Sequence, residues 1–152
     1  MTPEEMLQQE NEARLAQFDF TLAWRLGQLL YERAVVLAAP VSLEVYAFGQ
    51  ELFVAALPGS SADNLEWMRR KRNTVLRCAH SSLYVGIDNA SRGESMSMQK
   101  HIDHARYTDH GGSFPLLNLT GQVIGAVSVS GLPSEDDHAL AFWGIQQLQQ
   151  TL

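Results

Sequence analysis

The stretch Gln122-Val123-Ile124-Gly125-Ala126-Val127-Ser128-Val129-Ser130-Gly131-Leu132-Pro133-Ser134-Glu135-Asp136-Asp137 contains a strand, a stop and a helix start in succession. Through Ser130 the side chains alternate, with Val123, Gly125, Val127 and Val129 on one face and Ile124, Ala126, Ser128 and Ser130 on the other. That is the period of a β-strand, and small or apolar groups on both faces permit helices to pack closely on either side. Leu132-Pro133 ends the strand, and Ser134-Glu135-Asp136-Asp137 puts a capping residue and acids where a helix begins. Ala139, Leu140, Phe142, Trp143 and Leu148 then supply the helix's apolar anchors. Upstream, Phe114–Leu119 reads as a strand that joins Gln122 through a turn at Thr120-Gly121, so the stretch closes a hairpin.

The same pattern occurs earlier in the chain. Val41, Leu43, Val45 and Ala47 alternate with Ser42, Glu44, Tyr46 and Phe48, and Gly49-Gln50 turns the chain into a second strand, Glu51–Leu57. Between the hairpins, Asp63 or Asn64 caps a helix whose buried stripe is Leu65, Met68, Val75, Leu76 and Ala79. Arg69, Arg70, Lys71, Arg72 and Arg77 fill the rest of that helix, Asn89–Ser97 is a polar loop, and Met98–Tyr107 is a short helix. Before the first hairpin lie two helices. Thr2-Pro3-Glu4-Glu5 starts one that runs to about Ala16, an outer helix or one that packs on another subunit. Asp19 starts the other, with Leu22, Leu26, Leu29, Leu30 and Leu37 at helical spacing. The order is α-α-β-β-α-β-β-α without repeats or linkers, which predicts one α+β domain over residues 1–152, with residues 1–18 as an outer N-terminal helix.

At 152 residues, with 45% hydrophobic and 18% charged residues, the chain is long enough to bury roughly 70% of its unfolded surface. No apolar run reaches the length of a membrane span and the N-terminus lacks a positive leader, so no membrane association is expected. The single cysteine, Cys78, suits a reducing compartment, which predicts a cytoplasmic location. A net charge of −6, with no interleaving of basic and aromatic residues, gives no reason to expect nucleic-acid binding.

Gly111-Gly112-Ser113-Phe114-Pro115, followed by Val123-Ile124-Gly125-Ala126-Val127-Ser128-Val129-Ser130-Gly131 and an acidic helix cap, resembles the GlcG/HbpS-like superfamily of haem-degrading-type domains. Tyr107–Pro115 looks closest to its UPF0303 branch, and Lys71-x-x-Thr74 is similar to the Lys-x-x-Thr of the GlcG-type helix. The resemblance covers about residues 20 to 150. It implies a profilin-like three-layer α/β/α fold, with a mostly antiparallel sheet of about five strands. Four are visible, so a short fifth is expected near His110–Ser113. The resemblance also makes haem the cofactor to consider, although a fold transfers function weakly.

His101, His104 and His110, with Asp103 and Asp109, are the densest set of potential ligands for a metal or for haem iron. The competing reading leaves His101 and His104 in solvent, with His110 holding the turn before the paired glycines. Arg106, Tyr107, Asp109, His110, Gly111, Gly112 and Phe114 can build a pocket wall for an anionic small molecule, with Arg106 as a clamp and Lys71 contributed by the basic helix. The rest of the basic run reads as a solvated or intersubunit face. Cys78 reads as an inert thiol, and no nucleophile elbow or phosphate-binding loop is present.

Three functions follow as expectations. The first is a small-ligand-binding protein, with haem or another anion as ligand. The second is a homo-oligomeric assembly or adaptor protein, suggested by the first helix, the basic face, Trp24 and Trp67. The third is an enzyme acting on a small carbonyl or tetrapyrrole, for which the sequence shows no acid-base pair.

Overall fold

The computed structural model describes residues 1–152. Its elements are α1 (Pro3–Glu12), α2 (Phe20–Val36), β1 (Ser42–Ala47), β2 (Gln50–Ala56), α3 (Ala62–Cys78), α4 (Ser82–Ser91), a 3₁₀ turn (Met96–Met98), β3 (Ser113–Leu117), β4 (Val123–Ser130) and α5 (Ser134–Gln149). The strands form one antiparallel sheet in the order β2-β1-β4-β3. Helices α2 and α5 cover one face and α3 the other, which makes the expected α/β/α layering. No helix is long and apolar enough to cross a membrane.

Four of the five helices begin where a side chain satisfies free backbone amides. Thr2 and Glu5 close a capping box on α1, Asp19 Oδ1 accepts from Leu22 N at 2.8 Å, and Ser81 Oγ accepts from Tyr84 N at 3.1 Å. Helix α3 starts at Ser61 rather than at Asp63 or Asn64, and Asn64 Oδ1 reaches back to Ser61 N at 2.8 Å. The acidic start of α5 works differently from the sequence reading. Asp137 points back out of the helix and accepts from Leu132 N at 2.9 Å and Gly131 N at 3.3 Å.

The two faces of the sheet differ in chemistry. Leu43, Val45 and Ala47 of β1, with Val127 and Val129 of β4, join Leu26, Leu30, Ala141, Ile145 and Leu148 in the apolar core under α2 and α5. The face under α3 is small, as expected, but hydroxylated and charged: Ser42, Glu44, Ser113, Ser128 and Ser130 are all buried. Helix α3 answers with buried Lys71, Arg72 and Thr74. Lys71 Nζ donates to Asp137 Oδ2 at 3.0 Å and to Val129 O at 3.3 Å, and Arg72 Nη1 donates to Glu44 Oε2 at 3.1 Å. Burial outweighs the Arg72 attraction at Glu44 and pushes its carboxyl up to about 7.

Two expectations are corrected. There is no fifth strand. The segment before β3 gives its backbone bonds to α3 side chains instead: Thr108 bonds Thr74 Oγ1 through both N and O, Arg106 O accepts from Asn73, and Tyr107 O accepts from Arg70. Met98–Tyr107 is not a helix, because Asp103 Oδ1 takes the Ala105 amide at 2.9 Å and closes a local turn. Helix α1 packs on its own chain: Met6, Ala13 and Leu15 are buried, Gln149 Nε2 donates to Glu12 O and Arg14 O, and Leu15 N donates to Leu117 O at 2.8 Å.

Two outcomes follow from this packing. Lys71→Met strands the buried Asp137 charge and should cost about 3–5 kcal/mol in urea unfolding. His138, buried between Phe114 and α1, bonds Gln9 Oε1 at 2.7 Å, and burial pushes its pKa down from the usual 6.5 to about 4. The unfolded chain therefore takes up this proton below 6.5 while the folded chain refuses it, so His138 makes stability rise with pH between about 4 and 6.5. Glu44, raised from 4.5 to about 7, acts in the opposite sense. Comparing wild type with H138Q separates the two, and the stability gap should widen by up to ~1.4 kcal/mol per pH unit across that window.

Candidate functional site

Helix α3 places Trp67 and Arg70 three residues apart, hence side by side on one face. The Arg70 guanidinium lies 4.3 Å from the Trp67 ring centroid and donates to Tyr107 O at 3.3 Å, while its buried Nε has no partner. On the loop that faces α3, the exposed His110 ring lies 5.0 Å from Trp67. Arg77 and Arg106 add cations 5.0 and 5.6 Å from the Tyr107 ring. Three guanidinium groups thus surround one tyrosine on a chain whose net charge is −6.

A cleft of about 160 Å³ opens at this corner between Trp67, Arg70, His104, Tyr107, His110 and the Ser95–Ser97 turn. A second, of about 290 Å³, lies on the other side of His110 against α4 and shares Ser95, Asp109 and His110 with the first. Asp109 is occupied, since its Oδ2 accepts from Met96 N at 2.8 Å and Asn89 Nδ2 at 3.1 Å. It holds the 3₁₀ turn and forms the partition between the clefts. The polar donors left to a ligand include the Arg70 guanidinium and the His110 imidazole, both held against Trp67. Such a site suits a carboxylate or other small anion, with an aromatic surface beside it for a planar body.

The structure brings Tyr107, Asp109 and His110 to one corner, with Arg106 at its rim. It places the other candidates elsewhere. Lys71 is 4% exposed and committed to Asp137 and Val129, so its charge serves the layer under α3. Gly112, at φ 140°, lies where any Cβ would collide with Val129 O and crowd Lys71 Nζ, and a Cβ on Gly111 would press on Ser134 O and Leu83. Both glycines let the chain pass beneath α3 and α5. Phe114 is fully buried and stacks on Phe142 at 5.3 Å, in the core. His101 is exposed, His104 bonds Met96 O at 3.0 Å, and no group of three or more His, Cys, Asp or Glu side chains could hold a metal ion. The proposed metal set of His101, His104 and His110 is corrected accordingly. Without the Met98–Tyr107 helix, the two rings never share a helix face.

The residues missed were Trp67, Arg70 and Thr74. Their signal was the i, i+3 and i, i+4 spacing on α3, which places Trp67 beside Arg70 and Arg70 beside Thr74.

Comparison with known proteins agrees with this architecture. A UPF0303 protein of Psychromonas ingrahamii is 40% identical over 145 residues, covering 95% of this chain and 91% of its own. The crystal structure of Ybr137w protein superposes with a TM-score of 0.89 at 26% identity, covering 97% of this chain and 89% of that one. A PduOC:Heme complex superposes with a TM-score of 0.71 at 24% identity, covering 85% and 93%. Residues 18–146 match the family described as haem degrading protein HbpS-like, and the chain belongs to that family.

Proposed function

We propose that the protein binds a small anionic molecule at the Trp67–Arg70–His110 corner. The observation that carries this reading is the Arg70 guanidinium: it is stacked on Trp67, bonded to one carbonyl oxygen, left with an unpartnered Nε, and placed in a cleft whose one lining carboxylate, Asp109, is hydrogen-bonded through Oδ2 to Met96 N and Asn89. A stacked, partly bonded arginine loses little freedom when it takes a second partner, which favours bidentate capture of an anion.

Haem is the finer form of the reading, supported by the family and by the haem complex of a protein with the same fold. The donor set fits. His110 offers an exposed imidazole for the iron, Arg70 a cation for a propionate, and Trp67 an aromatic surface. When bound, haem supplies a redox-active iron. Clefts of 160 and 290 Å³ take a propionate more readily than they enclose a macrocycle, so the ring would rest against the corner.

Hemin titration should produce a saturable Soret shift that H110A abolishes and R70Q weakens about tenfold. Benzoate, a planar carboxylate without iron, should perturb the Trp67 and His110 resonances in the wild type and not in R70Q. A benzoate response without a hemin response removes haem and keeps the anion site. Failure of both overturns the reading.

A second reading, homo-oligomerisation, is favoured by a separate observation. Phe20, Trp24, Tyr31, Val35 and Val36 of α2 are 43–74% exposed, and Val54 of the free edge strand β2 lies beside them at 47%. An apolar stripe next to an unpaired strand edge is the kind of surface that a second copy covers. Light scattering should report an oligomer that V35E combined with V54K reduces in mass, whereas a monomer at every concentration would exclude it.

A further inference from the structure

Away from the His110 corner, a cavity of about 460 Å³ opens where α2 ends and α5 begins. That volume lies within the roughly 300–1,000 Å³ of small-molecule pockets. Its walls are apolar: Leu37, Ala39, Leu132, Leu140 and Trp143 contribute most of the lining. Two charged side chains share the cavity, Arg33 from the last turn of α2 and Asp136 from the first turn of α5. Neither lies within 4.0 Å of an opposite charge, and they do not pair with each other across the opening. The Arg33 guanidinium is instead held over the Trp143 ring, 5.5 Å from its centroid.

The backbone here also departs from the cheapest solution. Helix α2 ends with Ala39 N bonded to Ala34 O and Ala38 N bonded to Val35 O, the pattern in which the residue after the C-cap turns left-handed. That residue is Ala38, at φ 50°, where glycine is the usual choice. Alanine at this point puts a methyl group on the pocket wall.

We propose that this cavity binds a zwitterionic apolar amino acid. The carboxylate pairs with Arg33, the ammonium with Asp136, and a branched or aromatic side chain fills the space between Leu37, Leu140 and Trp143. A simple anion would meet Asp136 and a simple cation would meet Arg33, so a ligand carrying both charges is the one that satisfies both groups. The site is independent of the anion-binding corner and shares no lining residue with it.

The test is NMR titration of the full chain with L-phenylalanine, following the Trp143 indole and the amides of Ala38, Ala39 and Leu132. Saturable shifts confined to this region are expected at millimolar phenylalanine, with R33Q and D136N each weakening binding about fivefold. In the wild type, N-acetylphenylalanine should lose what D136N loses, and phenylalanine amide what R33Q loses. Both variants alter exposed side chains, and dispersed spectra will show that they fold. Absence of saturable shifts, or shifts indifferent to both substitutions, overturns the proposal. So do shifts that follow protein concentration rather than phenylalanine, because the occupant is then a second copy of the chain.

Discussion

Lys71 reaches 3.0 Å from Asp137, and this buried contact joins α3, the end of β4 and the start of α5. Its ammonium also bonds Val129 O on β4, while the Asp137 carboxylate takes the amides of Gly131 and Leu132. One ion pair therefore sets the height of α3 above the sheet, the exit of β4 and the first turn of α5. As a source of net stability such a pair is poor, since burial works against the Asp137 charge and raises its pKa. As a constraint on position it is strong, because any slip of α3 along the sheet would leave two desolvated charges apart. A Cβ on Gly112 would collide with Val129 O and also crowd the Lys71 ammonium.

The rest of α3 extends this logic. Successive helical residues point about 100° apart, so Arg69-Arg70-Lys71-Arg72 sends four cations to four destinations. Arg69 pairs with Glu66 at the surface, Arg70 rests on Trp67, Lys71 meets Asp137, and Arg72 meets Glu44 while lying 4.4 Å over Tyr46. Glu44 Oε1 and Arg72 Nε remain unpartnered. The polar layer is thus incompletely satisfied, whereas the opposite face of the sheet is a continuous apolar core. The apolar core lies on the α2/α5 side, and the buried charges lie on the α3 side.

Much of this was legible in the sequence. Alternating residues at Val41–Ala47 and Val123–Ser130 located the two strands that form the centre of the sheet, and the caps located the starts of α1 and α2. The acidic start of α5 was recognised at the right place, although Asp137 serves β4 and Lys71 rather than a capping role. What periodicity could not supply was the burial of charge. An apolar stripe of Leu65, Met68, Val75, Leu76 and Ala79 was the natural reading of α3, yet Leu76 is 40% exposed while Lys71 and Arg72 are buried, because their partners lie 66 and 28 residues away in sequence. The candidate site was legible in its loop half, Tyr107–His110. Its helical half, Trp67 and Arg70, was hidden inside a basic run that ordinarily faces water. The expected fifth strand failed because Ser113 already begins β3 and Gly112 O accepts from Val129 N, so the segment near His110–Ser113 runs into that strand instead of forming another.

The first turn of α5 lies between the two kinds of cleft. Ser134 borders the cleft beside His110, and two residues on, Asp136 borders the apolar cavity at the end of α2. Asp137, the next residue, is the one that Lys71 holds. A ligand in either place therefore packs against backbone that is already immobilised, so little ordering remains for binding to impose. The same rigidity limits communication between them, since a turn anchored by two amide bonds and an ion pair has no second arrangement that one ligand could favour over another. The two clefts are thus expected to fill independently, and the ion pair that positions them both is the reason.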